Sequence, residues 1–90
     1  MKAFRDLQVG DLIFEIDHFN GNSRISKINE IHQFGYVDTY FYLNVILGNS
    51  LFPVVCIFSN EMDSTIRDSA GSTIFANESD FLKAIENENV

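Results

Sequence analysis

The chain has 90 residues and a formal net charge of -7, with 46% apolar residues, one proline and one cysteine. That length holds a single domain, residues 1–90, which buries only roughly 60–65% of its unfolded surface. The charge argues against direct contact with nucleic acid or an anionic membrane, because phosphate recognition needs clustered Lys and Arg. A lone cysteine excludes an internal disulfide, and no apolar run is long enough to cross a bilayer, so the expected setting is cytoplasmic.

Phe4, Leu7 and Val9 form a short apolar lead-in that Gly10-Asp11 breaks. Leu12, Phe14 and Ile16 then alternate with Ile13, Glu15 and Asp17, the pattern of a half-buried strand. Asn20-Gly21 is the strongest short hairpin signal, since both residues tolerate the positive φ of a type I′ turn. A two-residue loop there sets Phe19 opposite Asn22, Asp17 opposite Arg24 and Ile16 opposite Ile25. In the return segment Ile25, Ile28 and Ile31 recur every three residues, which a flat strand cannot keep on one face. Either a β-bulge resets the face, or residues 24–34 form a short helix capped by Ser23 and stopped by Gly35. The hairpin signal asks for a return strand and favours the bulge.

Residues 36–47 read as one strand, with Val37, Thr39, Phe41, Leu43, Val45 and Leu47 on one face. Tyr36, Asp38, Tyr40, Tyr42, Asn44 and Ile46 fall on the other. Gly48-Asn49-Ser50 turns the chain, and residues 51–59 form a further strand, apolar on both sides, with Pro53 confined to an edge or a bulge. These two aromatic and β-branched runs make the protein sheet-centred. Thr65-Ile66-Arg67 and Thr73-Ile74-Phe75 flank Ser69-Ala70-Gly71-Ser72, a last short hairpin. Asn77 then caps a helix over residues 78 to about 87, with Glu78 and Asp80 at the positive end of its dipole. Its apolar stripe, Phe81, Leu82 and Ile85, docks on the sheet.

The lead-in Leu7-Gln8-Val9-Gly10-Asp11-Leu12-Ile13-Phe14, and a strand Thr73-Ile74-Phe75-Ala76 running straight into an acidic-capped helix, resemble small SH3-like β-barrel proteins of bacteria, phages and mobile elements. The resemblance implies a mostly β (α+β) fold: a small antiparallel SH3-like barrel of about five strands with a C-terminal helix. It implies no activity, since such barrels host many functions.

Catalytic and metal chemistry find little support. His18, His32 and Cys56 are the soft ligand candidates, but no two stand at ligand spacing and Cys56 lies inside an apolar run. No sequence feature beside Cys56 is of the kind that activates a thiol, and the acids Glu61, Asp63 and Asp68 match no calcium loop. The expectation is a non-enzyme with no cofactor and no metal. The tyrosine face is the better candidate: Tyr36, Asp38, Tyr40 and Tyr42 present rigid apolar bodies with polar tips. The bland alternative is that Tyr42 and Ile46 receive the helix, leaving only Tyr36 and Tyr40 exposed. A second surface is acidic: Glu61, Asp63, Asp68, Glu78, Asp80, Glu86 and Glu88 stand against only Arg67 and Lys83 in the last third of the chain. It suits a basic protein partner, as in a phage-type inhibitor of a host nucleic-acid-binding or defence enzyme, where carboxylates stand in for phosphates. A small-molecule, nucleotide-like ligand held by the barrel is the alternative. An open hairpin edge beside Tyr40 also invites a homodimer.

Overall fold

In the computed structural model, residues 2–48, 55–60, 62–67 and 71–88 are described. Among them six antiparallel strands and one helix form a nearly closed β-barrel: β1 (Leu12–Asp17), β2 (Ser23–Val37), β3 (Tyr40–Leu47), β4 (Val55–Asn60), β5 (Thr65–Arg67), β6 (Ser72–Phe75) and α1 (Glu78–Glu88). The strand order is β4-β3-β2-β1-β6-β5. Asn49, Ser50, residues 51–54 with Pro53, and Ser69-Ala70 lie outside the described residues.

The lead-in is held by its own polar groups. A 3₁₀ turn at Phe4–Asp6 buries Phe4, whose N–H donates to the Asp63 carbonyl at 2.8 Å. The turn at residues 8–11 is closed by Asp11 N–H to Gln8 O at 3.0 Å and places Gly10 at φ 97. A side chain there would be strained, which is why glycine precedes the aspartate.

The Asn20-Gly21 signal marks a hairpin, but not the two-residue loop. Ile16 pairs with Ser23, Glu15 with Arg24 and Phe14 with Ile25. The loop is widened by local side-chain bonds: Asp17 Oδ1 accepts from Phe19 N–H at 2.9 Å, and Asn20 Oδ1 accepts from Asn22 N–H at 2.8 Å. Gly21 takes φ 73, while Asn20 does not enter the left-handed region. These Asx bonds outweigh the type I′ geometry. The shift is by two residues, so every face is kept and Arg24 meets Glu15, at 2.6 Å, instead of Asp17.

β2 is the bulged strand and not the helix. Its pairing with β3 slips between Ile28 and Glu30 and again between Ile31 and Gln33, so Asn29 and His32 are the extra residues. Ile28 thus opposes Leu47, Ile31 opposes Val45, Phe34 opposes Leu43 and Tyr36 opposes Phe41. Two bulges convert a three-residue spacing into one continuous inward face.

The barrel interior gathers Phe4, Leu7, Ile13, Ile28, Phe41, Leu43, Val45, Leu47, Ile57, Ile74 and Ala76. A second cluster lies on the other side of β1 and β6, where Phe14, Ile16 and Phe75 meet Phe81 of α1, with Ala84 and Ile85 beside it. β1 is therefore buried on both faces at its centre rather than half-buried. The helix docks through Phe81, Ala84 and Ile85, and Leu82 is 52% exposed. Asn77 does more than stand before the helix. Its Oδ1 accepts from Lys2 N–H at 2.9 Å and its Nδ2 donates to Lys2 O at 2.8 Å, fastening the chain start to the helix start.

Candidate functional site

The turn end of the β2–β3 hairpin is the most distinctive surface. Val37 pairs with Tyr40, so only Asp38 and Thr39 form the loop, and Asp38 adopts φ 55. Aspartate is among the few residues with a side chain that enter this region at modest cost. The single strand expected over residues 36–47 is therefore broken at Asp38-Thr39. Opposite residues of an antiparallel pair share a face, so Tyr36 lies with Phe41 while Val37 lies with Tyr40, and Gly35 with Tyr42. The expected common face of Tyr36, Asp38, Tyr40 and Tyr42 does not exist: Tyr40 and Tyr42 share one, Tyr36 is on the other, and Asp38 makes the turn.

On the inward face Phe34, Tyr36 and Phe41 form an edge-to-face cluster. Phe34 and Tyr36 lie 5.2 and 5.7 Å from the Phe41 ring and 6.5 Å from each other. Phe41 is fully buried, whereas Phe34 and Tyr36 are 54% and 50% exposed. On the outward face Val37 and Tyr40 are 53% and 47% exposed. Tyr42 lies over Gly35, where a Cβ would come 2.8 Å from the Tyr42 Oη. Beyond it Asn44 Nδ2 donates to Gln33 Oε1 at 2.6 Å. The helix packs on β1 and β6, so it does not cover Tyr42 and Ile46. Phe34 and Val37 belong to this surface and were not singled out from the sequence. The 28–31–34 spacing was the signal for Phe34, once two bulges are allowed.

Of the expected acidic surface, the side chains of Asp63, Glu78, Asp80 and Glu86 are described. Asp63 has a structural role: its Oδ2 accepts from Asn60 N–H at 3.0 Å, closing the turn after β4. Glu78, Asp80 and Glu86 lie on α1, with Glu78 and Glu86 exposed. Glu61, Asp68 and the side chain of Glu88 lie outside the described residues.

A shallow groove of about 550 Å³ runs between the chain start and the helix start. Leu7, Leu12, Phe14 and Ala76 line it together with Lys2, Asp11, Asn77 and Glu78. Lys2 Nζ meets Asp11 Oδ1 at 2.8 Å, and Gln8 N–H donates to Asp11 Oδ2 at 2.8 Å. The Lys2 ammonium, with the Gln8 N–H, holds the Asp11 carboxyl below the usual carboxylate range. Lys2, Asp11 and Asn77 of the polar rim are thus engaged in internal contacts.

His18 sits in the β1–β2 loop with its Nε2 2.6 Å from Thr73 Oγ1. His32 is an exposed bulge residue of β2. The Cys56 side chain lies outside the described residues, while its backbone pairs with Asn44 in β4. Among the described residues no three His, Cys, Asp or Glu side chains gather where they could hold a metal ion. Among the described residues no helix is long and apolar enough to cross a membrane. Comparison with protein-family models, with curated proteins and with solved structures finds no match to this chain.

Proposed function

We propose that this chain is a non-enzymatic binding protein that acts by protein–protein contact through the turn end of the β2–β3 hairpin. One observation carries the reading: Phe34, Tyr36, Val37 and Tyr40 are each about half exposed, within residues 34–40 at the turn of one two-stranded ribbon. Aromatic side chains give large contact area at low ordering cost, and here Phe34 and Tyr36 are already fixed against Phe41. Exposed apolar side chains gathered on both faces of one hairpin end suit a contact site on a small domain. The net charge of -7 suits a basic partner, steered by long-range attraction before the aromatic residues engage. Within the same reading the barrel is SH3-like, of the kind found in bacteria, phages and mobile elements, and the partner is a cytoplasmic nucleic-acid-binding or defence enzyme.

The experiment is affinity capture with the intact chain, followed by titration of the captured protein against Tyr36→Ser/Tyr40→Ser. The double variant changes one aromatic on each face of the ribbon. Binding at least about tenfold weaker, with unchanged thermal stability, is the expected result for residues at a contact hot spot. Undiminished binding by the double variant overturns the assignment. A second reading, a small-molecule binder, has the groove beside Lys2 in its favour. A thermal shift with a nucleotide or metabolite, abolished by Leu12→Lys in the groove and unaffected by the hairpin variant, would decide for it.

A further inference from the structure

The two ends of the sheet are built differently. β5 is three residues long and ends on Arg67, two of the devices by which proteins keep an edge from pairing. β4 has neither. It runs for six residues, Val55–Asn60, with no charge and no proline. It pairs with β3 without a bulge, from Tyr40 opposite Asn60 to Val45 opposite Val55. Among the described residues nothing pairs with its other side. The neutrality extends beyond the strand: residues 39–60 carry no Asp, Glu, Lys, Arg or His, in a chain whose charged residues make up 21% of the total.

We infer that β4 pairs, antiparallel, with β4 of a second copy of this chain. Main-chain groups on a strand edge accept any extended segment, so charge decides which one. Two copies at -7 each repel one another over most of their surface. The uncharged β3–β4 ribbon is where they approach without opposing carboxylates. A basic partner, by contrast, gains nothing from an edge without charge. The pairing is isologous, about a two-fold axis normal to the sheet, which keeps the inward faces of both copies on the same side. Such an axis sets one residue of β4 opposite its own copy. For a six-residue strand the overlap is greatest when that residue is Ile57 or Phe58. Position 58 pairs with Tyr42, on the outward side of the sheet, and position 57 pairs with Leu43, on the inward side. The dimer extends the outward face of Tyr40 and Tyr42 across the axis and leaves the turn end of the β2–β3 hairpin available to a different protein.

Sedimentation of the intact chain over a concentration series tests this, alongside Phe58→Lys and Leu82→Lys. The wild type is expected to sediment as a dimer. Phe58→Lys brings two ammonium groups together near the axis and weakens the dimer at least about 100-fold, as like charges across an interface do. Leu82→Lys makes the same charge change on the exposed side of α1 and leaves the dimer intact. A monomeric wild type overturns the inference, and so does a folded Phe58→Lys that dimerises as tightly as Leu82→Lys. Should Phe58→Lys fail to fold, amide exchange of the wild type decides. Protection within residues 55–60 that rises with protein concentration supports the pairing, and concentration-independent exchange overturns it.

Discussion

The β1, β6 and α1 half of the molecule and the β2–β3–β4 half use their side chains in opposite ways. In the first, apolar residues are buried on both sides of the sheet, in the barrel interior and under the helix. Polar groups there are spent on internal ties: Asn77 to Lys2, Lys2 to Asp11 and His18 to Thr73. In the second, the inward row is buried, Ile46 is the buried hydrophobe of the outward row of β3, and the turn end exposes Phe34, Tyr36, Val37 and Tyr40. A small domain has little interior to distribute. This one concentrates its locking contacts in one half and gathers half-exposed aromatic side chains at a single hairpin turn in the other. The difference separates residues that hold the fold from residues available to a partner, and it can be broken experimentally in both directions.

The largest effect is expected in the first half. Phe81 is the helix residue that touches both Phe14, at 5.2 Å, and Phe75, at 5.9 Å between ring centroids. Phe81→Ala removes that ring from a buried site and is expected to cost about 3–5 kcal/mol. Urea unfolding measures it, with Leu82→Ala one position further on as the exposed comparison, expected to change stability by less than about 0.5 kcal/mol. Equal costs for the two would mean that the helix is not docked as described. A smaller effect is expected from the tie at the chain start. The folded state holds the Asp11 carboxyl below its ordinary value of 3.8, so it favours the ionised form. The stability this contributes is present above that value and is lost as the pH falls through the folded-state value. Because Lys2 and Asp11 are both partly exposed, the contribution is at most about 1 kcal/mol. Stability measured from pH 6 down to pH 2 should fall less steeply in Asp11→Asn than in the wild type.

The same contrast explains which features the sequence announces. Local signals are strong: Gly10-Asp11, the strands of the last hairpin and the helix lie where turn chemistry and apolar spacing put them, and Asn20-Gly21 marks a hairpin with a wider loop than expected. Of the three isoleucines at a three-residue spacing, the bulge at Asn29 puts Ile28 and Ile31 on one face, while Ile25, opposite Phe14, is exposed on the other; the second bulge, at His32, lies beyond that spacing. The turn at Asp38-Thr39 is hidden because Val37 and Thr39 continue the alternation of a strand, and a single aspartate at φ 55 is enough to reverse the chain. That one turn moves Tyr36 to the opposite face from Tyr40, so the tyrosines expected on one face are divided between two. The Asn77–Lys2 contact joins residues at the two ends of the chain. Local reasoning assigns Asn77 a capping role because its distant partner has no sequence signature.

The smallest expected change in stability bears most directly on the exposed half. Gly35 sits opposite Tyr42, and a Cβ there would come 2.8 Å from Oη, 3.0 Å from Cζ and 3.2 Å from Cε1 of that ring. These atoms belong to the far end of a half-buried side chain that can swing outward, and Gly35 itself does not have a positive φ. Alanine is better than glycine in a strand interior by about 0.5–1 kcal/mol. Lifting the Tyr42 ring off the backbone forfeits packing of similar size, so Gly35→Ala should alter stability by less than about 1 kcal/mol. The Tyr42 ring resonances should nevertheless shift, and exchange of the neighbouring amides should stay slow. If instead the variant loses more than about 2 kcal/mol, well beyond the usual range for a tolerated surface change, Tyr42 is a fixed part of the fold. The outward side of the hairpin would then be packing surface and not contact surface. A displaced ring in a protein of unchanged stability places Tyr42 with Tyr40 among the side chains that the fold can spare, which is what a residue reserved for a partner must be.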